Sequence, residues 1–142
     1  MEDSMIVKPF EEVYVAPGQS ATTSRLSTCL GAGFYSPENR DGYLLHWILG
    51  GIIDKGKIFT FRERPSILDA PENYHVLLAG LNADESELSD YILKERKEVV
   101  DHLISQGFLE KRIKQFFNED RESRCCLLML RKDSAMQRHM KD

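Results

Sequence analysis

Leu30-Gly-Ala-Gly-Phe-Tyr35, Ser36-Pro-Glu-Asn-Arg-Asp41 and Gly42-Tyr-Leu-Leu-His-Trp-Ile-Leu49 follow one another without a break. The middle piece is turn chemistry: Ser, Pro, Asn and Asp each favour a chain reversal through fixed φ or local side-chain bonds. The last piece is almost wholly apolar, the pattern of a strand covered on both faces. The first belongs to an extended stretch, Ala21–Tyr35, whose Gly31 and Gly33 suit a close backbone approach. Together they predict an antiparallel hairpin in the middle of a covered sheet. Counting outward from the turn, Tyr35 opposes Gly42 and Cys29 opposes Ile48. His46, two residues from Ile48, then shares a face with Cys29. The two become diagonal neighbours, roughly 7–8 Å apart at the backbone, and the Cys29 thiol and the His46 ring are expected to approach hydrogen-bonding distance, ~3–4 Å. An added residue at Gly31 or Gly33 would shift this register by one.

Further strands are predicted on either side. Glu11–Val15 alternates and ends at the Pro17-Gly18 turn, Lys57–Arg62 alternates, Tyr74–Gly80 is a short apolar run, and Arg124–Arg131 reads as a central strand. Gly51–Asn73 has no helical period. Glu85–Gln106 does, with Leu88, Tyr91, Ile92, Val99, Val100, Leu103 and Ile104 on one face. Asp84 and Glu87 have capping-box spacing before it, and Gly107 stops it. A shorter helix is expected over Glu110–Phe117, and residues 1–9 and 133–142 are expected to be loose. The reading is one domain over 1–142, α+β. It is a layered, mostly antiparallel sheet or sandwich covered by one long helix.

Composition bounds the partners. The chain has 142 residues, 42% hydrophobic and 30% charged, ordinary for a globule able to bury its own core. Nineteen basic against 23 acidic residues give a net charge of −4, which argues against a nucleic-acid surface. No apolar run nears the ~18 residues of a membrane span, and the N-terminus does not read as an export signal. Membrane insertion is not expected. Three cysteines, Cys29, Cys125 and Cys126, make no disulfide framework. A reducing, cytoplasmic compartment is expected.

Cys29 and His46 carry the chemistry. A thiol becomes a strong nucleophile when an imidazole takes its proton. Thr23, through its hydroxyl or its carbonyl, is placed to hold the second ring nitrogen. Taken singly, Cys29 reads equally as a buried structural thiol, His46 as a satisfied core histidine and Thr23 as an ordinary strand residue. Cys125 and Cys126 read as core packing, and Lys94–Glu98 as a solvated helix face. His75, His102 and His139 have no ligand spacing, and Gly31-Ala-Gly33 is too short for a phosphate cradle. No metal and no organic cofactor are expected.

Around these residues the chain resembles the CheD-type protein-glutamine deamidases at Thr23, Leu26, Cys29, Tyr35, Pro37, Gly42, His46 and Leu49. The Thr-to-Cys and Cys-to-His spacings are similar to that family's. Leu26-Ser27-Thr28-Cys29 is also similar to the Leu-Ser-Gly-Cys of toxin deamidases, and Leu78-Ala-Gly-Leu-Asn82 to a Gly-Gly-Ala-Asn turn of CheD. The likeness centres on residues 13 to 50. Arg25, Ser27, Thr28 and Gly50 depart from the CheD pattern, and a helix usual in CheD before Tyr74 has no counterpart here. The resemblance implies a CheD-like fold with Cys29, His46 and Thr23 as the catalytic set. Ser27 and Thr28 then lie at the oxyanion end. The implied reaction is conversion of glutamine to glutamate in a partner protein through a Cys29 thioester. The implied substrate is a chemoreceptor, or a target-cell protein reached by specialised secretion. Two other readings stand beside it: a non-enzymatic binding module on a degenerate scaffold, and a thiol hydrolase or protease using the same site.

Overall fold

The structure is a computed structural model. It describes residues 4–23, 26, 28–49, 59–83, 87–117, 125–131 and 134–140, the last two spans by their backbone. Nine strands and one α-helix occur among them: β1 (Ser4–Ile6), β2 (Glu12–Val15), β3 (Ser20–Thr23), β4 (Leu30–Ser36), β5 (Asp41–Trp47), β6 (His75–Gly80), α1 (Ser89–Ser105), β7 (Ile113–Phe117), β8 (Cys125–Arg131) and β9 (Ser134–Met140). They form two sheets, β1-β3-β8-β9 and β2-β5-β4-β6-β7. Five of the seven pairings are antiparallel; β1 with β3 and β6 with β7 are parallel. The fold is α+β with one long helix.

The hairpin decides the layering. The β4–β5 ladder runs unbroken from Leu30↔Trp47 to Ser36↔Asp41 and includes Tyr35↔Gly42, so the counted register holds. Every residue of β5 is buried, because it lies between β2 and β4 and is covered on both faces. Leu30, Ala32, Phe34, Tyr43, Leu45, Trp47, Val76 and Leu78 pack with Ile92, Val99 and Leu103 of α1. The other face carries Leu44, Leu77 and Ala79, which pack with Val15 of β2 and Ala21 of the smaller sheet. Alternation along each strand thus separates a helix-side core from an inter-sheet core.

α1 ends as expected. Gly107 takes φ +106°, its N–H bonds the Ile104 carbonyl, and the Phe108 N–H bonds that of Leu103. This is a Schellman closure with Phe108 buried. The helix start is corrected. Leu88 holds the N-cap position with no side-chain cap, so the capping box is not what begins the helix, and Asp84 lies outside the described residues. The buried stripe is also rotated from expectation. Leu88 and Ile104 are exposed, while Glu95 and Arg96 are buried beside Ile92 and Val99. Lys94–Glu98 is therefore not wholly a solvated face.

Other expectations are corrected too. Glu110–Phe117 is a single 3-10 turn (Glu110–Arg112) followed by β7, which takes the open edge of β6. Parallel neighbours need a long crossover, and α1 supplies it. Segment 4–6, expected loose, pairs with β3, and segment 134–140 pairs with β8. Phe59 and Phe61 are both buried, as their alternation implied, but they pack against Phe34 without joining a sheet. Residues 57 and 58 lie outside the described residues.

Candidate active site

Thr23 is the last residue of β3, where Ala21 and Thr23 are the two inward positions. β3 is flanked by β1 and β8, which fixes its backbone. The Thr23 hydroxyl donates to the Val7 carbonyl at 2.7 Å and lies 2.8 Å from His46 Nδ1. A hydroxyl has one proton. With that proton committed to Val7, the oxygen accepts at Nδ1, so the imidazole is the donor there. The neutral ring is then the Nδ1–H tautomer, and Nε2 carries the free lone pair. The hydroxyl, rather than the carbonyl, is the group of Thr23 that holds the ring.

His46 is 1% exposed, and its backbone is held as firmly as its ring. Its N–H donates to the Glu11 carbonyl at 3.1 Å and its carbonyl accepts from the Phe10 N–H at 2.8 Å. Nε2 is buried and has no hydrogen-bond partner among the described residues. A buried acceptor left open costs free energy. This ring is thus not a fully satisfied core histidine.

Cys29 sits in the bend leading into β4 and is half-buried, packing against the inter-sheet core. Gly31 pairs with His46, so Cys29 lies two residues from the partner of His46, on the same side of the sheet. The ladder ends at Leu30↔Trp47, and the Cys29 carbonyl turns away from β5 to accept the Leu81 N–H at 2.9 Å. The expected thiol–imidazole hydrogen bond is not formed. Burial raises the thiol's pKa and lowers the imidazole's, so the resting pair is a neutral thiol beside a neutral base.

The neighbourhood of Cys29 is set by two close approaches. A Cβ on Gly31 would fall 2.5 Å from Leu26 Cδ1, and one on Gly80 would fall 2.0 Å from the Cys29 carbonyl oxygen. Thr28, the residue before Cys29, is half-buried. Ser27 and Arg25 lie outside the described residues. Asn82, in the turn after β6, is buried. The residues that sequence reasoning missed are Val7, whose carbonyl sets the tautomer, and Arg96, which holds the Leu81 carbonyl. Neither carries a sequence signal, since a main-chain carbonyl is not written in a motif and Arg96 sits in a charged run. Among the described residues no group of His, Cys, Asp and Glu is placed to hold a metal ion.

The hydroxyl's dual contact makes a direct prediction. Thr23→Val keeps the shape but leaves Nδ1–H and the Val7 carbonyl without the hydroxyl. It is expected to lower stability by about 1–3 kcal/mol. Thr23→Ser restores most of the loss. Melting curves of the three proteins check this.

No protein-family model and no curated protein matches this chain. Among solved structures, the crystal structure of the Bacillus licheniformis hypothetical protein YfiH matches at 10% identity and a TM-score of 0.47. The match covers 74% of this chain and 49% of that one, so the chain spans about half the length of that protein. At that similarity the match assigns neither a family nor a function. Among the described residues no helix is long and apolar enough to cross a membrane.

Proposed function

We propose that this chain is a cysteine-dependent amidohydrolase that converts glutamine to glutamate in a partner protein. The observation that carries the reading is the buried Nε2 of His46, which has no partner among the described residues and whose opposite nitrogen is spoken for by Thr23. A lone pair held open on the same side as a half-buried thiol is what a general base for that thiol requires. Such contacts often tighten only with substrate bound, so an open thiol–imidazole pair in the resting chain fits this role.

In the reaction, Nε2 takes the Cys29 proton as sulfur attacks the side-chain carbonyl carbon of glutamine. The C–S bond forms, and the carbonyl electrons move onto oxygen. Collapse of this intermediate breaks the C–N bond, and the imidazolium returns its proton so that ammonia leaves. A thioester remains. Neutral His46 then deprotonates a water, which displaces the thiolate and gives glutamate; the imidazolium reprotonates the sulfur. The Thr23 hydroxyl keeps Nε2 as the working nitrogen throughout.

Candidate partner proteins, from chemoreceptors to target-cell proteins, are incubated with the wild type and with Cys29→Ser and followed by intact mass. The expected result is a gain of about 1 Da per modified glutamine with the wild type alone. Backbone fragments instead would favour a thiol protease. No change in any partner that nevertheless binds would favour the binding module, a reading supported by the neutral, unbonded resting pair.

The pH dependence follows from the base. Only neutral His46 accepts a proton, and burial lowers its pKa from the ordinary 6.5. kcat/KM is therefore expected to rise with pH through a midpoint below 6.5 and to be level by about pH 7. A profile that keeps climbing above pH 7, following ionisation of the thiol, would contradict this role.

A further inference from the structure

α1 buries two charged side chains, Glu95 and Arg96, against the helix-side face of the larger sheet. Buried charge is retained only where it is matched by partners. Arg96 donates from both Nε (2.9 Å) and Nη2 (2.7 Å) to one acceptor, the carbonyl oxygen of Leu81, and its guanidinium lies 4.9 Å over the Phe117 ring. Charge-assisted bonds of this kind are among the stronger ones a carbonyl can accept.

Leu81 is unusual in its own right. Its φ is +43°, a left-handed conformation that a leucine adopts only when its surroundings impose it. The imposing contacts run in two directions. Its carbonyl is held by Arg96, and its N–H donates to the Cys29 carbonyl at 2.9 Å. Gly80, at φ +84°, permits the contact by leaving room for the Cys29 oxygen. A continuous strap thus runs from a guanidinium on the helix, through one strained residue, to the backbone of the thiol-bearing residue. It meets Cys29 where the β4–β5 ladder has ended and β5 no longer fixes it.

We infer that Arg96 is a positioning residue for Cys29, holding the Leu81 turn so that the thiol stays on the diagonal to His46. The inference rests on reading Cys29 as the nucleophile. Arg96 touches neither substrate nor reacting atoms in this role. It fixes where the sulfur starts, and misplacement of a reacting group by about 1 Å costs on the order of 100-fold in rate.

The test is alkylation of Cys29 by iodoacetamide at pH 7 on the full chain, read by peptide mapping so that Cys125 and Cys126 are counted separately. It is run well below each variant's melting temperature. Arg96→Met is expected to slow Cys29 labelling by about tenfold or more, and Arg96→Lys, which keeps the charge but not the two-donor fork, by a few-fold. Val99→Ala removes packing from the same helix stripe without touching the strap and should label within about twofold of wild type. Adding Arg96→Met to His46→Ala should slow labelling no further, because the two losses act on one step. Labelling of Arg96→Met as fast as wild type or faster, or an equal loss in Val99→Ala, overturns the inference. If Arg96→Met does not fold, wild-type labelling in Arg96→Lys overturns it alone. If no partner is deamidated while this labelling pattern holds, the deamidase reading falls and the strap stands. If His46→Ala labels as fast as wild type, the nucleophile reading falls and takes the strap's role with it.

Discussion

Cys29→Ser is expected to fold normally and to lose turnover by about 1,000-fold or more. The site explains the size of the loss. His46 is backed by the neutral hydroxyl of Thr23, itself committed to the Val7 carbonyl, and not by a carboxylate. Such a base can relieve a thiol of its proton but gives little stabilisation to the imidazolium that deprotonating a far less acidic hydroxyl would require. The fold should barely notice, because Cys29 is only half-buried and serine is close to it in volume. Stability should change by no more than about 1 kcal/mol. Turnover and melting temperature of the purified variant check both halves. Near wild-type activity in the serine protein would mean that another group attacks the substrate.

Gly80→Ala should destabilise the chain more than Gly18→Ala, Gly31→Ala or Gly107→Ala. Two costs combine at that residue. Its φ of +84° is strained for any side chain, and the new Cβ would sit 2.0 Å from the Cys29 carbonyl oxygen, which the Leu81 N–H holds in place. Left-handed strain of about 1–2 kcal/mol plus an overpacking cost of about 1–3 kcal/mol gives roughly 2–5 kcal/mol. Gly18→Ala separates the two costs, because Gly18 has φ +86° with nothing within 4 Å of the added carbon. It should cost only the strain. Denaturant melts of both variants measure the difference; equal losses would show that the Cys29 carbonyl is not pressed against β6.

The hairpin was legible because its signals are local. A turn of Ser, Pro, Asn and Asp fixes the register, and an unbroken ladder carries that register as far as Leu30↔Trp47. The shared side of Cys29 and His46 follows from counting by two. The stop at Gly107 was legible for the same reason, since a Schellman closure is written in a few consecutive residues. What stayed hidden depends on partners distant in sequence. β7 has the residues of a short helix and becomes a strand because α1 returns it to the open edge of β6. Residues 134–140 belong to a polar tail and residues 4–6 to a stretch expected to be loose, and both pair because β3 and β8 offer them ladders. Arg96 reads as one more charge in Lys94–Glu98, and is buried because the Leu81 carbonyl needs donors on that side of the sheet. The missing thiol–imidazole bond has a similar cause. The register gives the side of the sheet but not the side-chain separation, and Cys29 lies one residue beyond the last pair of the β4–β5 ladder.

The rate of Cys29 alkylation in wild type and His46→Ala across pH 5 to 8 decides whether His46 acts as the base for the Cys29 thiol. At pH 7 the wild type is expected to label at least about tenfold faster than His46→Ala. The advantage should collapse below pH 6.5 as the imidazole takes up its own proton. Superimposable profiles for the two proteins, both rising only as the buried thiol ionises, would contradict it.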